Sequence, residues 1–339
     1  MAHKLQTRVT EILGIKYPLV MGTMGYQSTA EFVAAAANAG AFACLSSVMS
    51  RTSQALREEI RKTKSLTDKP FGVNINLFPM ISPLPHEEYI DAALEEGVNI
   101  FETSGRSPEN LVPRIKKGNA KLMHKCARLR DARTAERVGA DIVEIVGFEC
   151  GGHPSKENIA SLVLVPQVVD AVKIPVIAGG GIADARGVVA ALALGAEGVL
   201  MGTRFLATKE CPIPLNFKNK LIDAQSTDTL FVMRTLSDPM RALRNKLTTE
   251  VQELEDKGAP QEQIIPMLAG QRSLKAMEAG DVENALLACG QVVGLIHDIP
   301  TIKELVEKIM GETTAVYEQL GRTLSKKTLK IVDIAIGRE

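Results

Sequence analysis

The chain has 339 residues, with 40 Lys plus Arg balanced by 40 Asp plus Glu, and 45% of its residues are hydrophobic. That is enough material for one large α/β unit with an appendage. The even charge offers no basic stripe for nucleic acid, and the absence of Trp with only 4% aromatics leaves little to stack bases on.

No run approaches the ~20 apolar residues of a membrane span, and Met1-Ala2-His3-Lys4-Leu5 has no apolar signal core. Cys44, Cys126, Cys150, Cys211 and Cys289 are odd in number, scattered and without Cys-x-x-Cys spacing. The expectation is a reduced, cytoplasmic protein with no thiolate metal site, engaging neither nucleic acid nor membrane. Its partners would be small-molecule substrates, and a homodimer is compatible with these features.

From the N-terminus one pattern repeats: helix, glycine stop, short apolar strand, polar loop. Strands are expected over residues 18–24, 42–46, 71–77, 98–103, 121–125, 141–146, 175–178 and 198–201. Five are announced by a glycine at the preceding helix end: Gly40, Gly97, Gly118, Gly139 and Gly195. Most are unbroken apolar runs, the signature of strands buried on both faces. The intervening helices are amphipathic, as over residues 29–39, where Ser28 or Thr29 can serve as N-cap. Eight strands alternating with helices predict an α/β TIM (β/α)₈ barrel. A doubly wound open sheet competes, but no Gly-x-Gly-x-x-Gly follows the first strand.

The barrel should end near residue 207. Residues 208–280 are charged and helical with no convincing strand, and read as a second, smaller helical domain inserted after strand eight, a lid over the barrel face. Residues 282–296 read as a helix in which Ala285, Ala288, Gly290 and Gly294 permit close packing, and a further helix starts near Thr301. Residues 281–339 would thus return to the barrel.

Chemistry belongs at the C-terminal ends of the strands. The first ends in Gly22-Thr23-Met24, offering backbone groups and a soft apolar side chain. On the third, Asn74 and Asn76 share one face, where an amide can donate and accept to a heteroaromatic ring; the plain alternative is a strand-end turn. The fifth carries His124, a packing or hydrogen-bonded core residue, and Lys125, either a solvated charge or a cation beside a bound anion or reduced ring. After the sixth comes Gly147-Phe148-Glu149-Cys150-Gly151-Gly152-His153-Pro154, in which paired glycines expose backbone and Pro154 limits loop freedom. His153 is the histidine best placed to move a proton near neutral pH, and no partner stands at a zinc-site spacing from it. Cys126 and Cys150 are either reactive thiols or inert small packers.

The seventh and eighth strands each end abruptly in glycine, at Gly179-Gly180-Gly181 and at Gly202-Thr203. In a (β/α)₈ barrel these two loops form the usual phosphate cradle, where glycines let N–H groups approach an anion and a following helix N-terminus adds its dipole. The alternative is two ordinary tight turns.

Together these motifs resemble the nitronate monooxygenase (2-nitropropane dioxygenase-like) superfamily of FMN-binding barrels, which also contains flavin-dependent enoyl reductases and NADH:quinone reductases. The resemblance runs from Tyr17-Pro18 to Gly290-Gln291-Val292-Val293-Gly294-Leu295-Ile296. The segments from Glu149 to Pro154 and from Met201 to Thr208, with His124-Lys125-Cys126, look most like the bacterial NADH:quinone reductase branch. It implies an FMN oxidoreductase using NAD(P)H to reduce a quinone or activated alkene. Oxidation of alkyl nitronates with O₂ is the alternative within the family, and a non-redox phosphate-binding barrel the alternative outside it. It also implies that Gly180, Gly181, Gly202 and Thr203 hold the FMN phosphate. Gly22, Thr23, Met24, Asn74 and Lys125 would surround the isoalloxazine, with Gly152 and the catalytic His153 on its reactive side. The chain departs from the pattern at Thr23, at Gly25-Tyr26-Gln27-Ser28 and at Ser155-Lys156-Glu157-Asn158, all on the substrate side.

Overall fold

Eight parallel strands close into a barrel in chain order: β1 Leu19–Met21, β2 Phe42–Ser46, β3 Gly72–Asn76, β4 Ile100–Ser104, β5 Lys121–Cys126, β6 Ile142–Val146, β7 Val176–Gly179 and β8 Gly198–Met201. The structure, a computed structural model, describes residues 5–79, 83–235 and 239–336, with side chains to residue 323. Closure is explicit in the register, where Leu19, Val20 and Met21 pair with Val199, Leu200 and Met201. The strands read as continuous apolar runs because helices bury one face and the barrel's own filling buries the other. Val20, Phe42, Cys44, Ile100, Met123, Ile142, Ile177 and Leu200 form that filling, and Val9 and Leu13 of the helix Arg8–Leu13 plug its lower end. The expected TIM barrel is therefore the observed fold.

The helix stops are nearly as expected. Gly40, Gly97, Gly139 and Gly195 take φ between 73° and 100°, whereas after Gly118 the left-handed residue is Asn119, at φ 55°.

Two expectations beyond the barrel are corrected. Residues 208–280 contain the helices Leu215–Asp223, Lys246–Asp256, Gln261–Met267 and Gly270–Glu278, but also a two-stranded antiparallel sheet of β9 Thr229–Val232 and β10 Met240–Leu243. The apolar run Leu230-Phe231-Val232 is only a few residues long inside a charged stretch, so its β-branched and aromatic character was too brief to stand out. Residues 282–296 are not a helix. They run irregularly into a 3₁₀ helix at Gln291–Leu295, because this segment crosses the loop after β6 in close contact. A Cβ on Gly290 would lie 2.6 Å from the Glu149 carbonyl, and Gln291 N–H donates to that same carbonyl at 2.9 Å. The small residues serve this crossing.

The last helix, Ile302–Ile336, packs on the barrel helices Ala30–Asn38 and Ala185–Ala193. Among the described residues no helix is long and apolar enough to cross a membrane.

Candidate active site

The loops after β7 and β8 lie side by side because their strands pair, Gly179 opposite Leu200. Gly180 and Gly181 are left-handed, at φ 92° and 73°. A Cβ on Gly180 would stand 2.9 Å from Ser161 Oγ and 3.0 Å from Gly147 N, so the close approach of the β6 loop already requires glycine there. Ser161 Oγ is within hydrogen-bonding distance of the Gly179 and Gly180 carbonyls, 3.1 Å from each, and its backbone N–H donates to the Glu149 carboxylate.

Gly202 is different. Its φ is −103°, which any residue adopts, and the nearest atom to an added Cβ would be Met24 Sδ at 3.8 Å. Neither the backbone nor the packing demands glycine, and a side chain would fill open space beside Met24. Thr203 follows, buried, with Oγ1 accepting the Gly290 N–H at 2.9 Å. The dipole expected from the helix after β7 is already engaged: Asp184 caps Ala185–Ala193, accepting from the N–H groups of Arg186 and Gly187.

At the barrel mouth several expected residues converge on one that the sequence reading missed. Glu102 of β4 is completely buried and accepts from Thr23 Oγ1 at 2.7 Å and Asn74 Nδ2 at 3.0 Å, and it forms an ion pair with Lys125. The Asn74 amide is thus committed to Glu102, and Lys125, with its side chain 18% exposed, is not a solvated charge. Beside them, in register with Lys125, stands Glu144 of β6, whose two carboxyl oxygens are buried with no hydrogen-bond partner. Burial pulls the Lys125 ammonium down, but Glu102 and Glu144 outweigh it and its pKa is raised. Burial, reinforced by Glu102, pushes Glu144 up to about 8 against the opposing pull of Lys125. The signal for both carboxylates was present: a lone Glu inside an apolar parallel strand, at Phe101-Glu102-Thr103 and Val143-Glu144-Ile145, is costly unless it is used.

Gly22 joins the end of β1 to β8 through its N–H, which donates to the Met201 carbonyl at 2.9 Å, and Met24 links that turn to Gly202. His153 lies across the mouth, its imidazole stacked on Phe78 with centroids 4.4 Å apart and planes at 27°. Gly152, at φ 78°, exchanges two backbone hydrogen bonds with Arg241 of β10. The Arg241 guanidinium sits between the rings of Phe148 and Phe231 and donates to the Phe148 carbonyl and to Thr229 Oγ1, fastening the β9–β10 sheet to the His153 loop. Gly151 is fixed by protein contact, since a Cβ there would lie 2.8 Å from Cys289 Cα.

His124 is a core residue: Nδ1 lies 2.9 Å from Thr103 Oγ1, and burial depresses its pKa to about 4. Burial raises the Cys126 thiol and pushes that of Cys150 up to about 12, which disfavours the thiolate at both. Among the described residues no group of three or more His, Cys, Asp or Glu side chains is arranged to hold a metal ion.

The fold is a (β/α)₈ barrel, and the candidate site residues gather at the C-terminal ends of its strands. The chain belongs to the nitronate monooxygenase family, whose model matches residues 6–312. It is 33% identical to (3aS,4S,5R,7aS)-5-hydroxy-7a-methyl-1-oxo-octahydro-1H-indene-4-carboxyl-CoA dehydrogenase of Rhodococcus jostii (strain RHA1), over 94% of this chain and 98% of that protein. It is 30% identical to a probable nitronate monooxygenase of Staphylococcus aureus (strain MSSA476), over 92% and 99%. Among solved structures it is similar to FabK from Thermotoga maritima, with a TM-score of 0.87 at 36% identity, covering 94% of this chain and 99% of that one. It is also similar to nitroalkane oxidase from Streptomyces ansochromogenes, with a TM-score of 0.79 at 25% identity, covering 93% and 100%. The protein is accordingly an oxidoreductase of the flavin-dependent kind.

Proposed function

We propose that the protein is an FMN-dependent oxidoreductase that uses NAD(P)H to reduce an activated alkene or a quinone. The observation that carries the FMN assignment is Gly202, a glycine that neither backbone conformation nor packing requires, set in the loop beside Gly180 and Gly181. Gly180, Gly181, Gly202 and Thr203 would hold the phosphate. Gly22, Thr23, Met24, Asn74 and Lys125 would bracket the ring. FMN held there would supply the hydride-transfer chemistry that the side chains lack.

The chain's own residues set the terms. Lys125 provides a fixed positive charge at the mouth, held in place by Glu102, while Thr23 and Asn74 hold Glu102. His153, on a loop pinned by Arg241 and Phe78, would deliver or remove a proton at the acceptor. Residues 208–280 would act as a lid that excludes water. Supporting this, Arg241 pairs with the His153 loop, and Gly270 lies against Tyr26 in the loop after β1.

The carboxyl-CoA compound in the Rhodococcus relative's name favours a thioester-activated alkene over a quinone. The second reading, nitronate oxidation with O₂, is favoured by the names of the staphylococcal relatives. The test is to release and identify the flavin by denaturation, then to follow anaerobic NADH and NADPH oxidation with an enoyl thioester or a quinone. Aerobic alkyl nitronate consumption is measured in parallel. Protein that neither carries nor takes up FMN would refute the assignment, and nitronate turnover without nicotinamide oxidation would select the second reading.

A further inference from the structure

The barrel mouth holds one half-buried cation and two buried carboxyls, and the protein's hydrogen bonds favour only one of the acids. Glu102 takes all the donors: the Thr23 hydroxyl, the Asn74 amide and the Lys125 ammonium. Glu144 lies beside Lys125 in the β5–β6 register, and both of its oxygens are buried without a donor. Two ionised carboxylates against one ammonium would leave an uncompensated charge in a water-poor interior, which is expensive. The imbalance disappears if one acid keeps its proton, and the acid without donors is the one that must.

We propose that Glu144 is a proton-holding positioning residue that sets the net charge of the Glu102–Lys125 pair and, through Lys125, the electron affinity of the bound flavin. This rests on the FMN assignment above. With Glu144 neutral the cluster carries no net charge, and Lys125 presents its positive field to the mouth. When Glu144 gives its proton to solvent, a second negative charge stands next to Lys125 and weakens that field.

The groups near Glu144 are Glu102 from β4, Lys125 from β5 and Cys44 from β2, with Cys126 on the opposite face of β5. The two thiols are held neutral by burial, and the β7 residue in register with Glu144 is the apolar Ile177. Within this set Glu144 is the group that changes charge in the mildly alkaline range, around its raised pKa of about 8. An apolar residue or Gln would fill the position at lower cost, so retaining a donorless acid points to a role for its proton. Adding negative charge to the site by reduction makes Glu144 hold its proton more tightly. Between its midpoints in the oxidised and in the reduced protein, therefore, hydride transfer from the nicotinamide donor is accompanied by uptake of up to one solvent proton at Glu144.

Two measurements test this. The first is the infrared carbonyl band of flavin-free protein. A protonated-carboxyl band should be present in wild type at neutral pH, absent in Glu144→Gln, and should fade as the pH rises through about 8. The second is the flavin midpoint potential against pH. In wild type it should fall more steeply from that pH until Glu144 also ionises in the reduced protein, by the slope of up to one extra proton per hydride, whereas Glu144→Gln should lack the break and keep the higher potential. A wild type with no protonated-carboxyl band at neutral pH, or superimposable potential profiles, overturns the proposal. If the protein binds no flavin, the FMN assignment fails while the infrared titration still reports on Glu144. If the Gln variant does not fold, the titration of wild type and of Glu144→Asp decides alone.

Discussion

Replacing Lys125 by Met probes the buried ion pair on which the mouth is built. The substitution keeps most of the aliphatic stem and removes the ammonium. Glu102, completely buried, is then left with the Thr23 hydroxyl and the Asn74 amide as its remaining donors. Removing one partner of a buried pair costs about 3–5 kcal/mol, because the other charge stays desolvated and uncompensated. With an unfolding entropy of ~2.1 cal/mol/K per residue, that loss lowers the melting temperature of a chain this long by about 4–7 °C.

The assay is thermal unfolding of the flavin-free protein as a double-mutant cycle with Glu102→Gln. The double variant has no buried charge left at the pair and should recover most of the loss. The sign with pH is also set. The Lys125 pKa is raised above its ordinary 10.5, so its contribution is fully present below that value and disappears as the pH rises through the folded-state value. Wild type should therefore keep its advantage over Lys125→Met throughout the neutral range. A Lys125→Met protein that melts with wild type, or a double variant no more stable than the single, would show that the pair does not hold the mouth.

Gly202→Val should fold with a normal melting curve, since φ and space both permit it, yet lose FMN affinity at least tenfold in a fluorescence titration; unchanged affinity would misplace the cradle. His153→Ala should retain FMN while turnover drops by roughly 10²–10⁴-fold, the range typical of a positioned proton-transfer group, and wild-type turnover with every active acceptor would remove it from the chemistry. Because burial depresses the His124 pKa to about 4 from its ordinary 6.5, wild-type stability should decline as the pH falls across that interval, by ~3 kcal/mol in total. Chemical denaturation of His124→Gln at the two ends of the interval should lack this decline, and an equally acid-sensitive variant would assign the effect to other groups.

The barrel was legible because its signals are local. Each strand is a short apolar run, and glycine at 40, 97, 139 and 195 ends the helix before it, so chain order alone implied β1 to β8 and their closure. The paired glycines at 180–181 and at 202 were likewise visible as loops after the last two strands. What a glycine is for was not visible. Gly180 and Gly151 are held by protein atoms that approach from distant segments, and Gly202 by none, a distinction that exists only once the loops are packed. Small residues over 282–296 look the same whether they serve helix packing or a close chain crossing, and tertiary contact with the β6 loop selected the crossing. The charged cluster depended most on the fold. Asn74, Glu102, Lys125 and Glu144 come from four separate strands and Thr23 from the loop after β1; their meeting depends on barrel closure and on the alternation that turns the four strand side chains inward. Sequence could mark Glu102 and Glu144 as anomalous in apolar strands. Only the closed barrel decided that one acid receives every donor and the other receives none.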